Sequence, residues 1–212
     1  MNVYIDIHTH NPQPDNPFAV KNLNIEMAGL FLDNNPDVYS SVGIHPWDVH
    51  KTDSSVFQQL EKLAQHPKVV AIGECGLDKN STAAISEQNY FFERQIRLSE
   101  EVEKPLIIHC VASFNEIIAM KKRHQPKQAW IIHGFRGKPE TAKQLLTHDF
   151  ILSFGEKFNP LSVEITPVDK LCVETDESSL DIAEIYKSIA AIKTCRTNEL
   201  NAACRLLKLY IC

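Results

Sequence analysis

Histidine and acidic side chains stand at or near the ends of short apolar runs throughout this sequence. The candidate metal-ligand set is His8, His10, Glu74, His109, His133 and Asp176. Imidazole and carboxylate groups bind hard and borderline divalent cations, and this mixture does not choose among Mg²⁺, Mn²⁺ and Zn²⁺. If these groups converge, burying so much charge without a cation would be costly. The residue types therefore predict a metal centre.

The first two histidines form an H-x-H pair within the segment 6–10, D-I-H-T-H. Because side chains alternate along a strand, residues 6, 8 and 10 share one face. A carboxylate can bridge two cations, and two ions about 3.5 to 4 Å apart clamp both the attacking and the leaving oxygen of a displacement. The set therefore predicts two divalent ions and hydrolytic chemistry.

Short apolar runs supply the strands that must position these groups. They cover 3–7, 18–25, 39–44, 69–74, 105–110, 129–134, 150–155 and 171–176. Their continuous apolar character predicts parallel strands covered on both faces. Helical patterns at 53–66, 85–103, 113–124, 138–147 and 180–193 separate several of them. This alternation predicts an α/β protein with a TIM-like (β/α)8 barrel, in which all strands end at one functional rim.

The chain is short for this fold, because a full barrel takes about 250 residues and this one has 212. Only 11–17 separates the first two strand candidates, which leaves no room for a helix, and 26–38 is barely longer. We therefore expect a barrel that is shortened between the first and third strands. No linker, repeat or low-complexity segment interrupts the sequence, so we expect a single domain over 1–212.

The composition is that of an ordinary globular protein, with 43% hydrophobic and 23% charged residues. The net charge of −5 gives no support for a long DNA-binding groove, although bound cations could attract a phosphate locally. No apolar run approaches the roughly 18 to 20 residues that span a bilayer, and 1–10 does not read as a signal peptide. We expect a cytoplasmic protein that does not bind membranes. Cys75, Cys110 and Cys172 are expected to be small buried side chains, and no disulfide is expected.

Seven motifs occur in a characteristic order along the chain. They are D-I-H-T-H at 6–10, G-I-H-P-W at 43–47, I-G-E-C-G-L-D at 72–78, P-L-I-I-H at 105–109, H-G-F-R-G at 133–137, L-S-F-G at 152–155 and V-E-T-D at 173–176. In this order they resemble the TatD family of metal-dependent hydrolases, and the resemblance runs from about residue 3 to 193. It implies a TIM barrel with two metal ions. Several members of that family are Mg²⁺-dependent DNases, some of them 3′ exonucleases.

The resemblance also implies a division of the ligands. His8, His10 and Asp176 would hold one ion, His109 and His133 would hold the other, and Glu74 would bridge them. His45, in the G-I-H-P-W motif, would lie near the substrate. The short 11–38 segment and Glu177-Ser178, where the family often has a small residue and proline, depart from the family pattern and bear on substrate choice.

These residues suggest a mechanism for hydrolysis of a phosphodiester, including DNA ends. The two ions would lower the pKa of a shared water, and Asp176 would accept its proton as a general base. Arg136 could donate hydrogen bonds to a phosphate, while Trp47 and Phe135 could form an apolar wall or stack on a base. The catalytic residues are thus Asp176 and Glu74, with His45, Trp47 and Arg136 as substrate contacts.

Three other interpretations remain open. An amidohydrolase or lactonase also begins with H-x-H and ends with Asp, but many carry a modified Lys after the fourth strand, where this chain has Glu74. A PHP-type phosphoesterase usually has more histidines near its start. A non-catalytic, metal-stabilised interaction protein would use the shortened 11–38 side as an apolar surface. The protein could be a monomer or a homodimer.

Overall fold

Eight parallel strands follow one another in chain order around a sheet in the computed structural model, which describes residues 3–13, 15–200 and 202–208. The strands are β1 (Asp6–Thr9), β2 (Ala19–Leu23), β3 (Ser40–Val42), β4 (Val69–Asp78), β5 (Leu106–Val111), β6 (Trp130–Ile132), β7 (Ile151–Phe154) and β8 (Leu171–Val173). Each strand pairs in parallel with the next. The predicted barrel is confirmed.

The sheet closes between β1 and the residues that follow β8. Thr9 and Asp176 form a parallel bridge, in which the His10 N–H donates to the Asp176 carbonyl at 3.0 Å and the Asp176 N–H donates to the His8 carbonyl at 3.0 Å. Asp176 adopts a left-handed backbone conformation with a φ of 57°, which Asp tolerates better than most residues. Closure of the barrel thus brings Asp176 beside the H-x-H pair.

Helices cover the outside of the sheet. They are α1 (Ile25–Asn34), α2 (Ser54–Ala64), α3 (Ile85–Glu101), α4 (Phe114–His124), α5 (Pro139–Thr147), α6 (Pro160–Ile165), α7 (Ile182–Lys193) and α8 (Ala202–Leu206). The Asp53 carboxylate caps α2 by accepting from the Ser55 and Val56 N–H groups. The five predicted helices are confirmed as α2, α3, α4, α5 and α7. No helix lies between β1 and β2 in the described residues, so the barrel is shortened there as expected.

Two apolar layers hold the barrel together. The larger packs the outer face of the sheet against the helices and includes Trp130 and Ile189, both fully buried. The smaller contains Ile107 and Ile131, which share a strand face with His109 and His133 because side chains alternate. This smaller layer therefore fills the barrel interior beneath the histidines. Side chains of α8 join it near the amino-terminal ends of the strands.

The five cysteines within the described residues include free thiols and the disulfide-bonded Cys204. Cys75 and Cys172 are buried as expected, and Cys110 is partly buried. Burial raises the pKa of the Cys110 thiol to about 12, so it is an inert apolar side chain. Cys204 is disulfide-bonded, which corrects the expectation that the chain has no disulfide. In the part of the chain that the structure describes, no helix is long and apolar enough to span a membrane.

Candidate metal centre

The Glu74 carboxylate lies at the carboxyl end of the barrel and faces histidines on two sides. Its Oε2 lies 3.4 Å from His8 Nε2 and 3.6 Å from His10 Nε2. Its Oε1 lies 2.7 Å from His109 Nδ1 and 2.8 Å from His133 Nε2. The two oxygens of one carboxylate therefore serve two separate groups of imidazoles, and the side chain itself is buried.

The Asp176 carboxylate faces the same two histidines, His8 and His10, as Glu74 Oε2 does. Asp176 Oδ1 lies 3.7 Å from the Nε2 atoms of both His8 and His10. Candidate ligand atoms of His8, His10 and Asp176 all lie within 4.8 Å of one another, as do those of His8, Glu74 and His133. The structure thus brings together all six residues that the sequence proposes as ligands.

Buried ring nitrogens without partners test whether this donor set fits a cation. His8 is fully buried, yet neither its Nδ1 nor its Nε2 has a hydrogen-bond partner among the described residues. A buried polar atom left unsatisfied is costly, whereas a lone pair on Nε2 directed toward Glu74 and Asp176 suits a divalent ion. The residues therefore fit the implied metal ions.

The electrostatics of the cluster follow from burial and close charges. Burial opposes ionisation of Glu74, but the positive charge of His133, the nearby His10 ring and a hydrogen bond from His109 hold its pKa well below the ordinary value. The Glu74 carboxylate, 3.6 Å away, raises the pKa of His10. Burial opposes protonation of His133, but the charge of Glu74 raises its pKa well above the usual range. Burial and the charge of Glu174 raise the pKa of Asp176.

Two further carboxylates lie behind the proposed ligand histidines, on the side away from Glu74. The Glu174 carboxylate, fully buried, accepts from the Gly134 N–H at 2.6 Å and from the Ser153 hydroxyl, and its Oε1 lies 3.4 Å from His133 Nδ1. Burial opposes ionisation of Glu174, but the His133 ring 3.4 Å away and its positive charge lower the pKa of Glu174. Such outer carboxylates fix the orientation of ligand imidazoles.

Asp78 has the same relation to His109. Its Oδ2 lies 3.1 Å from His109 Nε2 and accepts from the Trp47 indole N–H at 2.6 Å. The buried Gln88 amide binds both the N–H and the carbonyl of Asp78. Sequence reasoning missed Asp78 and Glu174 as part of the site, although the motifs at 72–78 and 173–176 contain them, because it considered only the residues at the strand ends.

The predicted substrate residues lie on different sides of the cluster. His45 Nε2 lies 3.3 Å from Glu74 Oε1. Trp47 is 56% exposed, with its indole N–H anchored on Asp78. Arg136 is exposed and lines a cavity of about 430 Å³ together with Asp176. Phe135 is buried against Phe114 and Phe154, so it cannot stack on a base, and that expectation is wrong.

Fold and site together define a parallel (β/α)8 barrel with a histidine- and carboxylate-rich centre at its carboxyl rim. The family described as TatD related DNase matches residues 23–205 of the chain. The chain belongs to this family.

Relatives and solved structures agree with this assignment. The 3′-5′ ssDNA/RNA exonuclease TatD of Erwinia tasmaniensis is 30% identical over 149 residues, which are 65% of this chain and 57% of that protein. An uncharacterized metal-dependent hydrolase of Buchnera aphidicola is 32% identical over 161 residues, 71% of this chain and 60% of that protein. The chain thus spans less than two thirds of the length of these relatives.

The crystal structure of YJJV, a TatD homologue from Escherichia coli, superposes with a TM-score of 0.82 at 20% identity, covering 97% of this chain and 95% of that one. At this identity the superposition shows that the two proteins share the barrel fold.

Proposed function

We propose that this chain is a divalent-metal-dependent phosphodiesterase of TatD type, formed by a single domain over 1–212, which acts on nucleic-acid ends. The observation that carries this proposal is the placement of Glu74, whose two oxygens face two separate groups of imidazoles. One carboxylate shared in this way is the arrangement that a pair of bridged ions requires.

The proposed ligands divide into two groups, and the facing of Glu74 Oε2 to His8 and His10 and of Oε1 to His109 and His133 supports that division. His8, His10 and Asp176 would hold one ion, His109 and His133 the other, and Glu74 would bridge. When bound, the ions would polarise a phosphoryl oxygen and activate a water. The donor set of imidazoles and carboxylates suits Mg²⁺, Mn²⁺ or Zn²⁺.

The chain's own groups supply the remaining chemistry. Asp176 would accept the proton of the attacking water, and the raised pKa of its carboxyl group favours that role. Arg136, on the cavity beside Asp176, would donate hydrogen bonds to a phosphate. The exposed Trp47 ring, anchored through its N–H, would offer a face to a terminal base.

The names of the relatives support the choice of substrate. Several are 3′-5′ ssDNA/RNA exonucleases, and the family is described as TatD related DNase. The net charge of −5 favours recognition of a strand end over a long backbone. A cytoplasmic location is part of the proposal. Four free thiols among the described residues agree with the reducing cytoplasm. The Cys204 disulfide argues against that location. Cell fractionation would decide where the protein is found.

A substrate screen with defined metal content tests the proposal. Metal-free protein is reloaded with Mg²⁺, Mn²⁺ or Zn²⁺ and assayed on bis-p-nitrophenyl phosphate, single-stranded oligonucleotides labelled at either end, an amide and a lactone. We expect metal-dependent cleavage of the phosphodiesters alone, with shortening from the 3′ end. Turnover of only the amide or lactone, or of none of the substrates, would remove the proposal.

A further inference from the structure

Helix α3 carries two buried glutamines on one face. Gln88 and Gln95 are each 1% exposed, and their separation of seven residues is close to two helical turns, so the two side chains lie on the same side of the helix. A buried amide needs acceptors for its N–H groups and a donor for its oxygen. Main-chain groups of two loops at the carboxyl rim supply most of these partners, so both glutamines connect α3 to the rim.

Gln88 holds the end of β4. Its Oε1 accepts from the Asp78 N–H at 2.8 Å, and its Nε2 donates to the carbonyls of Asp78 at 3.1 Å and of Ala83 at 2.9 Å. The amide thus binds both main-chain groups of Asp78 and also closes the loop between β4 and α3. Three hydrogen bonds from one side chain therefore set the position of Asp78 relative to the helix.

Gln95 makes the same kind of contact with the loop after β3. Its Oε1 accepts from the Ile44 N–H at 2.7 Å, and its Nε2 donates to the Ile44 carbonyl at 3.1 Å. The same loop carries Trp47, whose indole N–H donates to Asp78 Oδ2 at 2.6 Å. One helix therefore binds both loops, and the two loops meet at the Asp78 carboxylate.

The Asp78 carboxylate connects this arrangement to the candidate metal centre. Its Oδ1 accepts from the Asn80 N–H at 2.7 Å, and its Oδ2 lies 3.1 Å from His109 Nε2. The other ring nitrogen of His109 lies 2.7 Å from Glu74 Oε1. A carboxylate behind a ligand imidazole fixes the direction of the ring. A shift of Asp78 would therefore change how His109 faces the centre.

We propose that Gln88 is a positioning residue, which fixes Asp78 behind His109 and thereby sets the affinity of the second ligand group for its ion. That group is the pair of His109 and His133. The inference rests on the proposed division of the ligands and goes beyond it, because Gln88 forms no hydrogen bond with any proposed ligand in the part of the chain that the structure describes. Gln95 would not share this role, since its loop carries none of the six proposed ligands.

A matched pair of buried substitutions tests the proposal. Gln88→Met and Gln95→Met each remove one amide and keep a flexible, unbranched side chain in the same helix. Mn²⁺ titrations that resolve two binding steps measure the affinities, and His109→Leu identifies the step that belongs to the second ligand group. We expect Gln88→Met to weaken that step alone by about 3- to 10-fold, less than the roughly 10- to 100-fold loss on removing a group that touches a ligand directly. Gln95→Met should leave both affinities unchanged.

A double-mutant cycle separates positioning from a general loss of stability. In an Asp78→Ala background, Gln88→Met should cause no further loss of ion affinity, because the group through which it acts is gone. Additive losses, equal weakening of both binding steps, or unchanged affinity in Gln88→Met would overturn the proposal. Gln88→Asn, whose amide is one methylene shorter, takes the place of Gln88→Met if that variant does not fold.

A crystal structure of the metal-free variant gives a readout that needs neither ion nor substrate. We expect the Asp78 carboxylate to move away from His109 Nε2 in Gln88→Met, and an unchanged contact of 3.1 Å would overturn the proposal. If the wild type cleaves no phosphodiester, the proposed function fails, while the titrations and this structure still decide the role of Gln88.

Discussion

The Glu74 carboxylate is the residue on which both halves of the site depend. Its oxygens face His8 and His10 on one side, and His109 and His133 on the other. Without ions, Glu74 favours protonation of His10 and His133, because its charge raises the pKa of both rings, while its own pKa is lowered. Cations would replace those protons, so metal binding, proton binding and the identity of this one side chain are linked.

Replacement of Glu74 by alanine should remove both ions and all hydrolysis, because each group of imidazoles loses its shared oxygen. Metal content by elemental analysis and turnover of bis-p-nitrophenyl phosphate would check this. The control is Glu116→Ala, which breaks an exposed ion pair with Lys79 and should change stability by less than about 1 kcal/mol. Full activity in Glu74→Ala would rule out a bridged pair.

Asp176→Asn should separate metal binding from proton transfer. The amide keeps one oxygen for the cation but cannot accept a proton, so we expect one ion to remain largely bound while kcat falls by roughly 10² to 10⁴. Single-turnover kinetics at saturating metal would measure the loss. A decrease of only a few fold would remove Asp176 from the role of general base.

Metal binding should release protons at neutral pH. Glu74 raises the pKa values of His10 and His133 above the ordinary histidine value, so in the metal-free protein these rings keep their protons to higher pH than free imidazoles, and a cation must displace those protons. Raising the pH removes those protons in advance, so metal affinity should increase with pH. Calorimetry in two buffers of different ionisation enthalpy should give about one to two protons released per protein. No dependence on the buffer would contradict this.

At the scale of elements, the repeating parts of the barrel were predictable and the irregular parts were not. The strand and helix patterns identified β5 to β8 and α2 to α5 within a few residues, because long apolar periodicity survives in sequence. The sequence pattern missed α1 because Met27 and Leu30 are exposed, so the helix shows little contrast between its faces. The short helices α6 and α8 contain too few residues to show a period.

The candidate site could be predicted only in part, because the fold brings the strand ends together but does not fix the ring orientations. Strand ends converge in this fold, so the first ring of ligands follows from the topology. The carboxylates of Asp78 and Glu174 act on the far nitrogens of His109 and His133, and that relation depends on ring orientation. Likewise the burial of Phe135 depends on its contacts with Phe114 and Phe154, which sequence order does not reveal.

Strand β4 is longer than its sequence predicts, and Gly76 lies in the additional part. Its sequence suggested a strand over 69–74, yet it extends to Asp78. Gly76 has a φ of 137°, and a Cβ there would lie 2.1 Å from the His109 carbonyl oxygen. Glycine at this position permits close approach of β4 and β5 and does not end the strand.

Gly76→Ala should therefore destabilise the protein by about 2 to 4 kcal/mol, the combined effect of backbone strain and overpacking. Urea unfolding of the metal-free protein would measure it. The matched control is Gly29→Ala in α1, where a Cβ meets nothing within 4 Å and where helix propensity should stabilise by roughly 0.5 to 1 kcal/mol. Equal changes in the free energy of unfolding for the two substitutions would show that the close approach of β4 and β5 does not determine the stability at Gly76.

At the scale of the whole molecule, the start of the chain is held by residues near its other end. Thr9 pairs with Asp176, and the Asp6 carboxylate accepts from the N–H and the hydroxyl of Thr175. The Tyr186 hydroxyl forms hydrogen bonds with the N–H and the carbonyl of Ile5. Burial raises the pKa of Asp6 to about 7. These contacts lie along the same seam as His8, His10 and Asp176, so closing the barrel also brings one proposed ligand group together.

The Tyr186 hydroxyl lies away from the candidate metal centre, so replacing it tests the closure between the start of the chain and the residues after β8. It accepts from the Ile5 N–H at 3.2 Å and donates to the Ile5 carbonyl at 2.9 Å, fully within the core. Tyr186→Phe leaves both backbone groups buried without this partner, so we expect a loss of about 1 to 3 kcal/mol in the free energy of unfolding. Tyr90→Phe is the control, because the Tyr90 side chain is exposed and its loss should stay below about 0.5 kcal/mol.

If closure and ligand assembly are one event, Tyr186→Phe should also weaken binding of the first ion, although Tyr186 touches none of the proposed ligands. The His8, His10 and Asp176 group should lose affinity, and the His109 and His133 group should not. A titration with Mn²⁺ that resolves the two binding steps would distinguish these outcomes. Equal weakening of both steps would mean that the substitution loosens the whole barrel and that the seam has no special relation to the site.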